Sequence, residues 1–168
     1  NNTLIGARAG DAQTSALYNT AVGSNALGAN VDGDNNTAVG YLALADFEAD
    51  TDSHGHNTAV GSKAMENAST GTENTALGSL AMGVGVTTGN ENEAIGYRAG
   101  EDLTSGIRNS LVGSYAGAQL TSGNYNVAMG YGALSANCGD GNVAVGSSAG
   151  TAITGPSNTV MGNAAGYG

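Results

Sequence analysis

Asn19-Thr20-Ala21-Val22-Gly23-Ser24-Asn25-Ala26-Leu27 returns seventeen residues later as Asn36-Thr37-Ala38-Val39-Gly40-Tyr41-Leu42-Ala43-Leu44. The leading Asn recurs along the whole chain, at Asn2, Asn19, Asn36, Asn57, Asn74, Asn92, Asn109, Asn126, Asn142 and Asn158, in steps of 17, 17, 21, 17, 18, 17, 17, 16 and 16 residues. Four positions after each Asn stands a Gly: Gly6, Gly23, Gly40, Gly61, Gly78, Gly96, Gly113, Gly130, Gly146 and Gly162. Seven positions after it stands an Ala, from Ala9 and Ala26 to Ala149 and Ala165. The residue before the Gly is always aliphatic, from Ile5 and Val22 to Val145 and Met161. Such self-similarity marks a repeat architecture, and residues 1–168 read as one array.

Each invariant type has a physical reading. An aliphatic residue before the Gly suits an inward-facing strand position. The Gly breaks the strand, at positive φ or where neighbouring backbone comes close. The Ala must be small, as where a second strand packs tightly on the first. Stacked Asn side chains can bond to one another and to backbone. A further Gly three residues before the next Asn (Gly33, Gly71, Gly89, Gly106, Gly123, Gly139 and Gly155) marks a second turn. A helical reading fails, because a Gly in every unit would cost about 1 kcal/mol each relative to Ala. The expectation is an all-β parallel β-solenoid, or β-roll, of ten coils of about 17 residues with two short strands per coil. At about 4.8 Å per coil it would form a rod roughly 48 Å long. Loop length varies while the Asn-to-Ala block does not, so the loops should lie on one side of a constant scaffold.

Composition agrees. The chain has 29 Gly, no Trp and one Phe, and its apolar content is mostly small, so its core must be thin. Only 11% of residues are charged, and the formal net charge is −10. Four Lys and Arg cannot neutralise a nucleic acid backbone, so no nucleic acid partner is expected. No apolar run approaches the roughly 20 residues that span a bilayer, so this segment should not insert in a membrane. Cys138 is alone and forms no intrachain disulfide. Neither terminal repeat carries a polar cap, which suggests an excerpt of a longer array or copies continuing end to end.

The block Asn19 to Leu27, repeated from Asn36 to Leu44, resembles the head repeats of trimeric autotransporter adhesins. The 17-residue spacing and the loops Leu103-Thr104-Ser105-Gly106 and Leu120-Thr121-Ser122-Gly123 look still more like the related repeats of phage-like tail fibre proteins. The resemblance covers the whole chain. It implies a left-handed β-roll, side-by-side packing as a homotrimer, and an extracellular, cell-surface or virion location. Position two of the repeat is apolar throughout (Leu4, Ala21, Ala38 and so on to Val160), as is position three. A strand apolar on both faces can bury one against its own core and the other against a partner. Expected partners are therefore copies of the chain itself, in the homotrimer that the resemblance implies or in the end-to-end filament that the uncapped ends suggest; a binding-module alternative would add cell-surface glycans or proteins.

Chemistry-bearing constellations are few. No catalytic set and no cofactor motif is evident, and the chain reads as a non-enzymatic structural segment of a fibre, filament or adhesin. The alternative is a receptor- or glycan-binding module. The loop Ala45 to His56 holds Asp50, Asp52, His54 and His56, weak candidates for a cation but more simply a solvated acidic loop. Tyr41, Tyr97 and Tyr131 share the position after the corner Gly and should point outward, where they could stack on sugars or enter an interface. Thr3, Thr20, Thr37, Thr58 and Thr75 form a column that could match ice, but Glu93, Ser110, Val127 and Val143 interrupt it. Asn1, Asn35 and Asn67 head glycosylation sequons that matter only in a glycosylating host.

Overall fold

A computed structural model describes residues 1–48 and 55–166. Each repeat supplies one three-residue strand: β1 (Thr3–Ile5), β2 (Thr20–Val22), β3 (Thr37–Val39), β4 (Thr58–Val60), β5 (Thr75–Leu77), β6 (Glu93–Ile95), β7 (Ser110–Val112), β8 (Val127–Met129), β9 (Val143–Val145) and β10 (Thr159–Met161). They form a single ten-stranded parallel sheet in sequence order. Every strand pairs in register with the next, as in Thr20↔Thr37, Ala21↔Ala38 and Val22↔Val39. Like residues therefore stack on like, and the chain is an all-β parallel β-solenoid.

Among the described residues there is no second regular strand per coil. The segment carrying the invariant Ala is a run of turns, stacked through hydrogen bonds such as Arg98 N–H to the Ser79 carbonyl (3.0 Å) and Gly100 N–H to the Ala116 carbonyl (2.8 Å). Regular strand geometry is blocked there by left-handed backbone. Positions six and eight of the repeat have positive φ, for example Asn25 at 56°, Leu27 at 53°, Arg98 at 55° and Gly100 at 57°. From the second repeat on, the residue just before the Asn does the same, as in Tyr18 at 60° and Arg108 at 56°. Non-Gly residues in this region each cost on the order of 1–3 kcal/mol and persist only when the surrounding structure holds them. Here the coils above and below do so.

The inward face differs from the expected one. Position two, not position three, points into the core: Ala21, Ala38, Ala59, Ala76, Ala94, Leu111, Ala128 and Ala144 are fully buried. The aliphatic residues before the corner Gly face out, half-buried at Val22 and Val112 and exposed at Leu77 and Met129. The reason is parity. The Asn at position zero is buried, so the strand's period of two sends position two inward and positions one and three outward.

The Asn column ties the coils together. At all nine steps the backbone N–H of one Asn donates to the side-chain oxygen of the Asn before it, at 2.9 Å for Asn19 to Asn2, 3.1 Å for Asn109 to Asn92 and 2.9 Å for Asn158 to Asn142. The side-chain amides reach the loop Gly carbonyls, as in Asn19 to Gly33 and Asn109 to Gly123, both 2.8 Å. The second-turn Gly thus receives the ladder's spare donor. At the corner, Gly96 has φ +137°, and a Cβ there would lie 2.6 Å from the Gly113 carbonyl carbon. Both readings of the corner Gly apply at once.

Core volume is shared between position two and position eight. Ala21, Ala38 and Ala128 accompany Leu27, Leu44 and Leu134, whereas Leu111 accompanies Gly117. A Cβ on Gly117 would lie 2.8 Å from Leu111 Cδ2, and one on Gly100 2.8 Å from Leu111 Cδ1. Leu103 and Leu120, and Phe47 in the long loop, complete the core from the third side, all fully buried.

Candidate ligand-facing surface

Two columns of the repeat carry the side chains that vary most in chemistry, and each flanks the sheet at one end of the strands. The first is the left-handed residue before the Asn from the second repeat on: Tyr18, Asn35, His56, Glu73, Glu91, Arg108, Tyr125, Gly141 and Ser157. Here Arg108 donates from Nε and Nη2 to the two carboxylate oxygens of Glu91 (2.9 and 3.0 Å). Its Nη1 donates to the Tyr125 hydroxyl at 3.1 Å, and its guanidinium lies 5.7 Å from that ring's centroid. The hydrogen bond from Arg108 holds the Glu91 carboxyl below the usual carboxylate range.

The second column follows the corner Gly. Tyr41, Tyr97 and Tyr131 are 51%, 43% and 59% exposed. Tyr41 stands apart, with Ser62 and Ser24 in its place on the neighbouring coils. Tyr97 and Tyr131 are brought together by Tyr115, at φ 60° on the coil between them. The Tyr97 and Tyr115 ring centroids are 5.4 Å apart at 87°, and those of Tyr115 and Tyr131 5.9 Å apart at 72°, both edge-to-face. Arg98 lies 5.5 Å from the Tyr97 centroid and 6.0 Å from that of Tyr115. Its Nε is also 3.2 Å from the Glu101 carboxylate. Burial first, then the neighbouring Tyr97, raises the Tyr115 hydroxyl pKa.

Tyr115 is the residue that column reading misses. It sits one position later than Tyr97 and Tyr131, and only the left-handed turn carries its ring back between theirs. The available signal is that four of the chain's seven Tyr, at 97, 115, 125 and 131, fall on three consecutive repeats.

Comparison with protein-family models, with curated proteins and with solved structures finds no match to this chain. The remaining candidates therefore rest on geometry alone. Asp50, Asp52 and His54 lie outside the described residues, and His56 is exposed with φ 58°. No three potential metal ligands converge among the described residues. Asp34 bridges Gly55 at the far end of the long loop, so that loop rejoins the stack before His56. The outer strand face carries two columns side by side, Thr20, Thr37, Thr58 and Thr75 beside Val22, Val39, Val60 and Leu77. The Thr column changes character at Glu93, whose carboxylate accepts from the Ser110 hydroxyl at 3.2 Å. Cys138 is buried, which raises its thiol pKa.

Proposed function

We propose that this chain is a non-enzymatic structural segment of an extracellular fibre, filament or adhesin, of the kind its repeats resemble, and that it associates with copies of itself. The observation that supports this most directly is the outward aliphatic column. It runs from Ile5 through Val22, Val39, Val60, Leu77, Ile95, Val112, Met129 and Val145 to Met161, one residue on every strand. Only Glu93 places a charge on the outer strand face, in a chain whose formal net charge is −10. Taken together with the polar column of left-handed residues that borders it, Glu73, Glu91 and Arg108 included, this face is a strip of roughly 48 Å by 17 Å, about 800 Å², close to what one partner contributes to an interface of standard size. Each coil stacks in register on the next, a geometry suited to extending a rod. Lateral packing on this face would give a homotrimer or a bundle; stacking of sheet edges would give a filament.

Sedimentation analysis tests this reading. The wild-type chain is expected to sediment as an oligomer, and the Val39→Asp, Val112→Asp double variant as a smaller species with unchanged circular dichroism. A wild-type chain that remains monomeric at about 100 μM, well above the Kd of a stable assembly, would overturn it. A second reading, a receptor- or glycan-binding module, is favoured by the tyrosines clustered on repeats six to eight.

A further inference from the structure

The decoration of the rod is uneven. Repeats six to eight, from Asn92 to Gly141, hold Tyr97, Tyr115, Tyr125 and Tyr131 together with Arg98 and Arg108, half of the chain's four Lys and Arg. Tyr115, Arg98, Arg108 and Tyr125 all project from left-handed backbone. Their main chain is therefore held by the stack, and their rings and guanidinium groups are braced against one another. A pre-arranged aromatic cluster loses little further freedom when something binds it. Elsewhere in the column after the corner Gly stand Ser24, Ser62, Ser79 and Ser147 and the isolated Tyr41, so the cluster of rings is a local departure from the repeat.

We propose that the Tyr97–Tyr115–Tyr131 ladder, with Arg98 beside it, is a binding platform for a neutral oligosaccharide. This rests on the ligand-binding reading above, not on the fibre reading. The choice of class follows from the surroundings. A polyanion is disfavoured because Arg98 and Arg108 are already paired with Glu101 and Glu91, and the chain as a whole is acidic. A purely apolar ligand is disfavoured because the rings carry hydroxyls and have beside them the Arg98 guanidinium, itself 3.2 Å from Glu101, while the Ser114 hydroxyl bonds the Tyr97 carbonyl. A pyranose has both needs: a C–H face with slight positive charge that is attracted to an aromatic face, and hydroxyls that bond to the polar rim. Tyr97 and Tyr131 lie two coils apart, a span of roughly 10 Å along the axis, which suits a short chain of sugars lying along the rod.

The test uses the assembled protein with cellohexaose, maltohexaose and N-acetylchitohexaose as probes, read by calorimetry and by tyrosine fluorescence, the chain having no Trp. At least one probe should bind. Tyr131→Ala and Tyr97→Ala should weaken it about tenfold, Tyr131→Phe should retain it because the ring face remains, and Tyr41→Ala should leave it unchanged. Unchanged melting and sedimentation of each variant would show that fold and assembly persist. The proposal falls if no probe binds at ~5 mM, if Tyr41→Ala is as damaging as Tyr131→Ala, or if a sulfated oligosaccharide binds more tightly than every neutral one. It also falls if Tyr131→Ala disperses the oligomer, for the ladder would then be a contact between chains. Failure of sugar binding with sedimentation intact leaves the fibre reading standing.

Discussion

Gly96 shows how little freedom a single residue has in this stack. It combines φ +137° with the backbone of the next coil 2.6 Å from where a Cβ would sit. Gly96→Val should lower stability by about 1–3 kcal/mol or more, with the backbone clash added to the conformational cost. Thermal melts against Ser79→Val, a substitution at an ordinary neighbouring position, measure the difference; equal losses would refute this account of the corner. The Glu91–Arg108 pair makes a second prediction at the same scale. Glu91 has a depressed pKa in the fold, so the unfolded chain binds its proton more readily. The pair's contribution is present above the ordinary carboxylate range and is lost as pH falls through the folded pKa. Melting temperature between about pH 6 and about pH 3 should fall more steeply in the wild type than in Arg108→Ala. Both side chains are exposed, so the effect is small and should shrink with added salt.

At the scale of one coil, the core is a trade between two positions. Leu111 fills the space that Leu27 and Leu134 fill from position eight in their own repeats, and Gly117 is its necessary counterpart. Leu111→Ala should cost about 2–5 kcal/mol by opening a cavity. Gly117→Leu should cost about 1–3 kcal/mol by overpacking against Leu111. The double variant restores the Ala-and-Leu arrangement of repeats two, three and eight and should be more stable than the sum of the two losses allows. Strict additivity in a double-mutant cycle would show that the two positions do not share volume. Part of Leu111 also covers Gly100, so recovery should be incomplete.

Across the whole molecule, stability is a sum over coils and their contacts with immediate neighbours. Phe47 exposes an error in dividing the chain into scaffold and loop. The variable stretch from Ala45 to His56 looks like an insertion, yet its beginning is scaffold: Phe47 is fully buried, and Glu48 N–H donates to the Ser69 carbonyl at 3.0 Å. Phe47→Ala should cost about 3–5 kcal/mol, more than deletion of residues 50–53, because loop closure changes slowly with length. Hydrogen exchange should then show lost protection at β3 and β4 but not at β8 and β9. A uniform loss along the rod would mean that the array unfolds as one unit rather than by neighbouring coils.

The solenoid was legible in the chain because its signals are periodic. Asn, Gly and Ala at constant offsets demand stacked, in-register coils whatever the details, since each type answers a constraint that recurs every turn. Loop Gly residues were equally readable as turns, although their use as carbonyl acceptors for the Asn ladder was not. Which strand face points inward depended on the tertiary structure, because positions two and three are both apolar and only the buried Asn sets the parity. That the described residues form no second regular strand per coil was hidden for a similar reason. The left-handed columns are occupied by Arg, Asn, Leu, Lys and Tyr alike, so no residue type announces them. Tyr115 joins Tyr97 and Tyr131 only through such a turn. Periodicity carries over from sequence to fold because it is a property of the chain; facing and clustering are settled where the coils meet, by sterics and hydrogen bonds between residues about seventeen apart.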